Sequence, residues 1–316
     1  MKVLQLITST RSFFEGQVEA LEERGVECTV VDAPGAYSAD SPRTVTDYLK
    51  YQPKVLRELR REEYDLVHAN YGLVGPFALA QPVRPVVLTL WGTDLMSEMA
   101  WLRATSEWSA RLADAVVVPS PAMSRALDVD HVEIPFGIDT DLFRQIPRAE
   151  ARERIGWDPE GAVALFPYDS ARPEKDYTRA ERIVRRAGVD VELREVTGVP
   201  HEEMPDYMNA SDVLLVTSVR EAGPMVVKEA AACGLPIVST DVGFVRETVG
   251  GLDTCTVARS DSGLVAGLEA AVESDARPDG RAGIDGLSTD AMGEKLLELY
   301  ERLCDEPEPR ADRRAG

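Results

Sequence analysis

Residues 212–247 constrain the fold of this chain more than any other stretch. An apolar run, Val213–Val216, has the length and β-branching of a buried strand. After a polar turn, Pro224 opens an amphipathic helix, Gly234 ends it, and residues 235–239 read as the next strand. Strand, helix and strand predict a parallel βαβ unit, in which the loops at the carboxyl ends of the strands form ligand crevices.

The same alternation of strands and helices runs through both halves of the chain. It predicts an α/β protein with two Rossmann-like domains facing each other across a cleft. We place a first Rossmann-like domain at residues 1–146, a second at 147–285, a helix returning to the first domain at 286–304 and a disordered tail at 305–316. The absence of a G-x-G-x-x-G after the first strand and of a P-loop motif disfavours dehydrogenases and P-loop NTPases.

Charge excludes some partners. The formal net charge of −20 argues against nucleic acid, whose phosphates require a basic surface. Most of the positive charge is Arg, and an acidic, lysine-poor chain is typical of salt-loving organisms, although an acidic mesophilic protein is the alternative. No apolar run approaches a membrane span and the first residues are too polar for a signal peptide, so we expect a cytoplasmic protein.

Cysteine and histidine content bounds the metal chemistry. The four cysteines form no C-x-x-C pair and the chain has only three histidines, which makes a structural zinc site improbable. Asp139 and Asp141 have D-x-D spacing, but they follow a Gly in a linker-like stretch, and we interpret them as turn residues.

Two glutamates carry the chemistry of the 212–247 stretch. Glu221 lies in the loop after the strand, and Glu229 lies about two turns into the helix. Between them the backbone N–H groups of Ala222, Gly223 and Met225 lie at a positive helix terminus, which favours a phosphate. Carboxylates beside it favour hydroxyl groups, so the pair indicates a nucleotide sugar. Solvated helix-end charges are the alternative interpretation for either glutamate alone.

The E-x7-E spacing in EAGPMVVKE, followed by AAACGLPIVSTDVGFVRE, resembles the retaining nucleotide-sugar glycosyltransferases of family four, which have the GT-B fold. The resemblance implies transfer of a sugar from a nucleoside-diphosphate sugar to a glycan, lipid-linked glycan or small-molecule acceptor, with retention of configuration. It also implies that residues 1–146 form the acceptor-side domain and residues 147–285 the nucleotide-sugar-binding domain. Within the second domain, it implies that Glu229 binds the ribose hydroxyls and Glu221 the hydroxyls of the sugar ring, without a metal or other cofactor.

Further segments resemble other parts of the family pattern. PYDSARPEKDY resembles its phosphate-clamp loop, which implies that Arg172 and Lys175 neutralise the diphosphate. DLVHANYG resembles the strand-end His segment, which implies that His68 lies near the reacting sugar, with a structural role as the alternative. The first loop, SFFEGQ, has only Gly16 where many members have two glycines to contact phosphate. In WGTDL, Asp94 either caps a helix or contacts a substrate hydroxyl.

Residues 45–62 predict a basic amphipathic helix in this acidic chain. It is either a solvated face or a weak peripheral contact with lipid headgroups or an anionic acceptor. Two other functions remain open: a nucleotide-sugar epimerase of the same fold, and a non-catalytic nucleotide-sugar-binding subunit.

Overall fold

The structure is a computed structural model that describes residues 1–35, 45–96, 99–221, 223–252, 254–274, 276–278, 284 and 286–305. The chain divides into two compact units. The first comprises Met1–Pro135 with the chain from Asp290 onward, and the second comprises Phe136–Thr289. Each unit has its own parallel sheet with helices on both faces, so the predicted two-domain α/β class is confirmed.

The first unit is built on a six-stranded sheet of order β2-β1-β3-β4-β5-β6, in which every pair is parallel. Its elements are β1 (Lys2–Ile7), α1 (Ser12–Glu22), β2 (Glu27–Asp32), α2 (Val45–Glu58), β3 (Leu66–Asn70), α3 (Gly75–Leu79), β4 (Val86–Thr89), α4 (Ala100–Leu112), β5 (Ala115–Val118), α5 (Pro121–Ala126), β6 (Val132–Glu133) and the final helix. The central strands β4 and β5 are almost entirely apolar, as expected for strands that are buried on both faces, whereas β3 also buries His68 and Asn70.

Two cores lie on the two faces of this sheet. On one face, side chains of α2, the turn at Gly72–Val74, α3, α4 and α5 pack together, including Tyr51, Val74 and Met123. On the other face, Leu21 of α1 packs with residues of the final helix. Helices α2, α3 and α4 therefore form one layer on the same face of the sheet, and their outer surfaces face away from it.

The second unit is built on a five-stranded parallel sheet of order β11-β10-β9-β7-β8. Its elements are α6 (Arg148–Ile155), β7 (Ala162–Phe166), α7 (Tyr177–Arg186), β8 (Val191–Glu195), α8 (Met204–Ala210), β9 (Val213–Val216), α9 (Met225–Ala232), β10 (Ile237–Ser239), α10 (Val245–Val249), β11 (Thr256–Val257) and α11 (Asp261–Glu273). The βαβ unit that the sequence predicts is β9-α9-β10, with β9 in the middle of the sheet.

The two units meet in sequence at Pro135 and Phe136, whereas the sequence placed the boundary after residue 146. The segment between these positions belongs to the second unit because Ile138 and Phe143 are buried in its core. Ile138 also forms a parallel bridge to Ser288. An apolar linker that packs into the following domain has no local pattern that marks it as part of that domain.

The final helix, α12 (Thr289–Asp305), packs on the first unit through Leu296, Leu299 and Tyr300. Apart from Asp305, the tail predicted to be disordered lies outside the described residues. No helix in the described part of the chain is long and apolar enough to cross a bilayer. The cytoplasmic location stays a prediction.

Candidate active site

The turn between β9 and α9 is shaped by a close contact. Pro224 is the N-cap residue of α9 and makes no side-chain capping hydrogen bond to the N–H groups of the first turn. Gly223 lies against the ring of Phe244: a Cβ atom at this position would come within 2.1 Å of Phe244 Cε1. Glycine is therefore required here, because any side chain would push the turn away from the ring.

Glu221 lies in this turn and forms an ion pair with Lys175. Both side chains are largely buried, and Ser218 Oγ donates a second hydrogen bond to Glu221 Oε1 at 2.9 Å. Burial lowers the pKa of Lys175 while the Glu221 charge opposes that shift. The sequence predicted different ligands for these two residues, and the structure brings them into direct contact.

The aromatic ring of Tyr168 lies against Lys175 of this ion pair. Lys175 Nζ lies 3.9 Å from the centre of the Tyr168 ring, a cation–π distance. Burial raises the pKa of Tyr168 well above its usual value, and the negative charges of Glu221 and Glu229 add to the effect. The buried Tyr168 hydroxyl has no hydrogen-bond partner among the described residues. Tyr168, Lys175, Ser218, Glu221 and Glu229 are called the α9 cluster below.

The loop that carries Lys175 is fastened to the end of β9. Thr217 Oγ1 donates to the carbonyl oxygens of Lys175 and Asp176, at 3.0 and 2.9 Å. Asp176 has a left-handed backbone, with φ of 51°, and its carboxylate caps α7 by accepting from the Arg179 N–H. These contacts hold Lys175 over Tyr168 without using its ammonium group.

Arg172 differs from Lys175 in its environment. Its side chain is about half exposed, and both Nε and Nη2 donate to Glu174 Oε1, at 2.8 and 2.6 Å. Arg172 therefore lies at the surface of the same loop, with a local acidic partner, whereas Lys175 lies at its buried end.

Glu229 is almost fully buried on α9, with 8% of its surface exposed. Burial raises its pKa from 4.5 to about 7. Among the described residues no hydrogen-bond donor contacts the carboxylate, and the nearest basic group is His201, whose Nε2 lies 4.0 Å from Glu229 Oε1. The His201 ring packs near Phe143, with centres 5.1 Å apart. A buried carboxylate without donors is suited to accept hydrogen bonds from a ligand.

Lys228 holds the other side of α9. It is 2% exposed, its Nζ donates to the Phe136 carbonyl oxygen at 2.8 Å, and it lies 4.5 Å above the Phe244 ring. Burial lowers its pKa to about 8. Lys228 thus connects the first residue of the second unit to the ring that shapes the Gly223 turn.

Sequence reasoning missed four residues of this region: Tyr168, His201, Ser218 and Lys228. Tyr168 and Ser218 each lie two residues after the end of a strand, β7 and β9, where ligand contacts are common in parallel sheets. This position is the signal that could have singled them out. Lys228 has no such signal, because a lysine inside a helix is normally exposed.

Of the other predicted residues here, Met225 is the first residue of α9, as the helix-terminus hypothesis requires. Ala222 lies outside the described residues.

The first unit departs from the predictions at three positions. His68 is fully buried in β3, and its ring nitrogens lie 2.6 Å from Tyr300 Oη and 2.7 Å from Thr89 Oγ1. Burial lowers its pKa to about 3, so the ring is neutral. The predicted contact between His68 and a sugar does not fit this geometry, and the structural alternative does.

Asp94 is also fully buried. Its carboxylate accepts backbone N–H groups from Gly72, Trp91, Gly92 and Leu95, at 2.8 to 3.1 Å. Burial raises its pKa, and these hydrogen bonds oppose the shift. The carboxylate organises two loops and is inaccessible to a substrate hydroxyl, which corrects that prediction.

Gly16 lies inside α1, which begins at Ser12, and not in the preceding loop as expected. The helix starts early because Phe14, Gln17 and Leu21 are buried at helical spacing. At the fifth helical position the Gly16 N–H is past the four that a helix leaves without an intrahelical partner. The expected backbone contact from Gly16 to a phosphate therefore does not fit.

No group of three or more His, Cys, Asp or Glu side chains is arranged to hold a metal within the described ranges. Asp139 Oδ1 accepts the N–H groups of Asp141 and Leu142, both at 2.9 Å, as a turn residue does.

Two family models match parts of the chain. Residues 13–142 match the family model "Glycosyltransferase Family 4", and residues 174–280 match the model "Glycosyl transferases group 1". The second match contains Lys175, Glu221 and Glu229.

Relatives of known assignment are distant. The chain is 27% identical over 272 residues to D-inositol 3-phosphate glycosyltransferase 2 of Catenulispora acidiphila, covering 65% of this chain and 62% of the relative. It is 26% identical over 228 residues to the putative teichuronic acid biosynthesis glycosyltransferase TuaC of Bacillus subtilis, covering 62% and 58%. The chain thus spans about three fifths of the length of these relatives.

Solved structures share the fold. The structure of HepE from Anabaena in complex with UDP and glucose matches with a TM-score of 0.73 and 17% identity, covering 96% of this chain and 100% of that one. Sucrose-phosphate synthase of Thermosynechococcus elongatus matches with a TM-score of 0.72 and 18% identity, covering 96% and 99%. These solved structures show that the chain has the GT-B fold, with two parallel-sheet α/β domains.

Proposed function

We propose that the chain is a retaining glycosyltransferase that moves a hexosyl group from a nucleoside-diphosphate sugar to a glycan, lipid-linked glycan or small-molecule acceptor. The observation that carries this proposal is the α9 cluster, in which Lys175 pairs with Glu221 and the charges of Glu221 and Glu229 both act on Tyr168. Glycosyltransferase relatives and a fold shared with a UDP- and glucose-bound protein support the choice of donor class.

In this proposal the donor lies across the amino end of α9. The N–H groups of Gly223 and Met225 and the ammonium group of Lys175 bind the diphosphate. Glu229 accepts hydrogen bonds from the ribose hydroxyls, since its carboxylate has no hydrogen-bond donor among the described residues. Glu221 accepts from the hydroxyls of the sugar ring, and its ion pair with Lys175 orients both groups.

Catalysis is then mainly stabilisation of the leaving diphosphate. Negative charge grows on the diphosphate oxygens as the bond to the sugar breaks, and a fixed cation in a low-dielectric site is worth most at that stage. Lys175 meets this description because burial and Tyr168 hold it in place. Arg172, at the surface of the same loop, is placed to contribute less. We propose that no metal ion is required.

Release of nucleoside diphosphate in the presence of donor and acceptor tests the function. A thermal-shift screen of UDP-, GDP- and ADP-sugars selects the donor, and acceptors are then added. A transferase releases one diphosphate for each sugar transferred, and the anomeric configuration of the product, read by NMR, decides retention. An isomerised donor would instead indicate an epimerase, and donor binding without release would indicate a binding subunit.

Activity in EDTA tests metal independence. We expect turnover to be unchanged. Loss of turnover with EDTA, restored by Mg²⁺ or Mn²⁺, would overturn this part of the proposal.

A further inference from the structure

Helix α4 presents a row of large apolar side chains to the outside of the first unit. Trp101, Trp108 and Leu112 are 58%, 50% and 52% exposed. Seven and four residues separate them, which places all three along one side of the helix. Met96 and Met99, just before the helix, are 40% and 51% exposed. These five residues are called the α4 stripe.

The stripe is unusual within this protein. Eight large apolar side chains of the described chain are strongly exposed, and five of them belong to this one segment. Single exposed apolar residues are ordinary, whereas a contiguous group on a surface marks a place of interaction. Two of the five are tryptophans, a residue that is enriched at interfaces.

The fold does not need the stripe for its own packing. Helix α4 is seated through its opposite side, where Leu102, Ser106 and Ser109 are buried. The contact is close: a Cβ atom on Gly75 would come within 2.6 Å of Ser109 Cβ. Small residues thus bring α4 close to the core. The two tryptophans are not part of that core.

Charge on the surrounding surface decides the partner. Helices α2 and α4 lie in the same layer, and the most exposed of their charged side chains in the described chain are basic: Lys50, Arg57, Arg103 and Arg111. Glu107 of α4, with a side chain 34% exposed, forms an ion pair with Arg111 at 3.6 Å. Residues 45–112 contain eight Lys and Arg and eight Asp and Glu residues, so this segment is neutral in a chain of net charge −20. This segment therefore experiences less repulsion at an anionic surface than the rest of the protein.

We propose that the α4 stripe is the surface by which the protein lies on a phospholipid bilayer with anionic headgroups. Tryptophan prefers the depth of the headgroups, where its ring is in an apolar environment and its N–H in a polar one. Helix α4 lies in the plane of the interface with Trp101, Trp108 and Leu112 inserted. Basic side chains of α2 and α4 contact lipid phosphates. The helix predicted from sequence to touch lipid, α2, is an auxiliary contact in this arrangement.

Co-flotation of the full chain with vesicles tests this proposal without reference to activity. Vesicles of phosphatidylcholine with phosphatidylglycerol are compared with phosphatidylcholine alone, at physiological ionic strength. We expect binding to the anionic vesicles and a decrease of at least about tenfold in the partition coefficient for the double variant Trp101→Ser, Trp108→Ser. The matched control is Val30→Ser, which removes a 42% exposed apolar residue on β2 and should bind normally. Arg103→Gln with Arg111→Gln should weaken binding less.

Quenching of tryptophan fluorescence by brominated lipids provides a second measurement on the wild-type chain. Trp101→Phe and Trp108→Phe should each reduce the quenched fraction, and Trp157→Phe in the second unit should not. This measurement decides the proposal even if the double serine variant fails to fold.

Three results would overturn the proposal. The first is equal binding of wild type and the double variant, or no binding at all. The second is equal binding to neutral and anionic vesicles, since charge decided the choice of partner. The third is a dimer in solution that the double variant converts to a monomer, which would assign the stripe to a second copy of the chain.

Discussion

Both units bury ionisable side chains near the carboxyl ends of their strands, but the two sets have different surroundings. In the first unit, Asp94 accepts four backbone N–H groups and both ring nitrogens of His68 have partners. In the second unit, Glu229 has no hydrogen-bond donor among the described residues, and the Tyr168 hydroxyl is likewise unpartnered there.

This difference distinguishes buried polar groups that stabilise the fold from buried polar groups that are available to a ligand. A buried polar group costs free energy unless its hydrogen bonds are made. In the first unit, backbone N–H groups remove that cost for Asp94 and the side chains of Tyr300 and Thr89 remove it for His68, so neither group is left to bind a ligand. The second unit keeps part of the cost, which a ligand with hydroxyl groups would remove. The following predictions test this contrast.

The largest expected effect is on turnover, for Lys175→Ala. Loss of a fixed cation that faces the developing diphosphate charge should lower kcat about a hundredfold or more, with a smaller change in donor affinity. Steady-state kinetics and donor titration measure the two quantities.

Because Glu221 loses its partner in this variant, the double variant Lys175→Ala, Glu221→Gln is the control for misfolding. Arg172→Ala, at the exposed end of the same loop, should have a weaker effect. Near-normal turnover in a folded Lys175→Ala protein would refute the phosphate role.

A second effect concerns stability and pH, for Glu229→Gln. Burial raises the pKa of Glu229 from 4.5 to about 7, so the folded chain holds a proton that the unfolded chain has lost between these values. Stability contributed by this group therefore falls as pH rises from about 4.5 to 7, by about 3 kcal/mol at most. Glu229→Gln should remove that decrease and melt higher than wild type at pH 8.

The same variant should bind donor more weakly, because an amide offers one acceptor oxygen where the carboxylate offers two. Thermal melts across pH and donor titration check both statements. If Glu229→Gln left the pH dependence of melting unchanged, Glu229 would not be the buried acid that the structure describes.

A third effect tests the first unit, through Asp94→Ala. Four backbone N–H groups would lose their acceptor, and we expect a loss of about 2 kcal/mol or more of stability. Donor affinity measured below the melting transition should not change. If the variant instead folded stably and bound substrate differently, Asp94 would again be a candidate binding residue. The two units would then no longer differ in whether their buried polar groups bind a ligand.

The smallest effect concerns salt. A net charge of −20 repels itself, and added ions screen that repulsion. We expect the melting temperature to rise by a few degrees from dilute buffer to molar KCl. A flat or falling melting temperature would count against adaptation to high salt and favour an acidic mesophilic protein.

Local sequence patterns were sufficient to predict many of the strands and helices. Continuous apolar runs such as Val213–Val216 predict buried parallel strands, because a strand covered on both faces has no polar side. The helix between Pro224 and Gly234 was predicted, with Glu229 inside it and Glu221 in the turn before it, since turn and capping preferences act over a few residues. Gly16 shows the limit: the SFFEGQ stretch was taken as a loop, yet burial of Phe14 and Gln17 makes it helical.

By itself, the sequence determined that the chain forms two parallel α/β units and that Glu221, Glu229 and Lys175 are candidates for one site. Tertiary structure alone decided which charges meet, because Lys175 and Glu221 are distant in sequence and become partners only when β7 and β9 lie side by side. It also decided that Asp94 and His68 are satisfied internally whereas Glu229 is not. Burial and hydrogen bonding depend on every element packed around a side chain, and no window of sequence contains them.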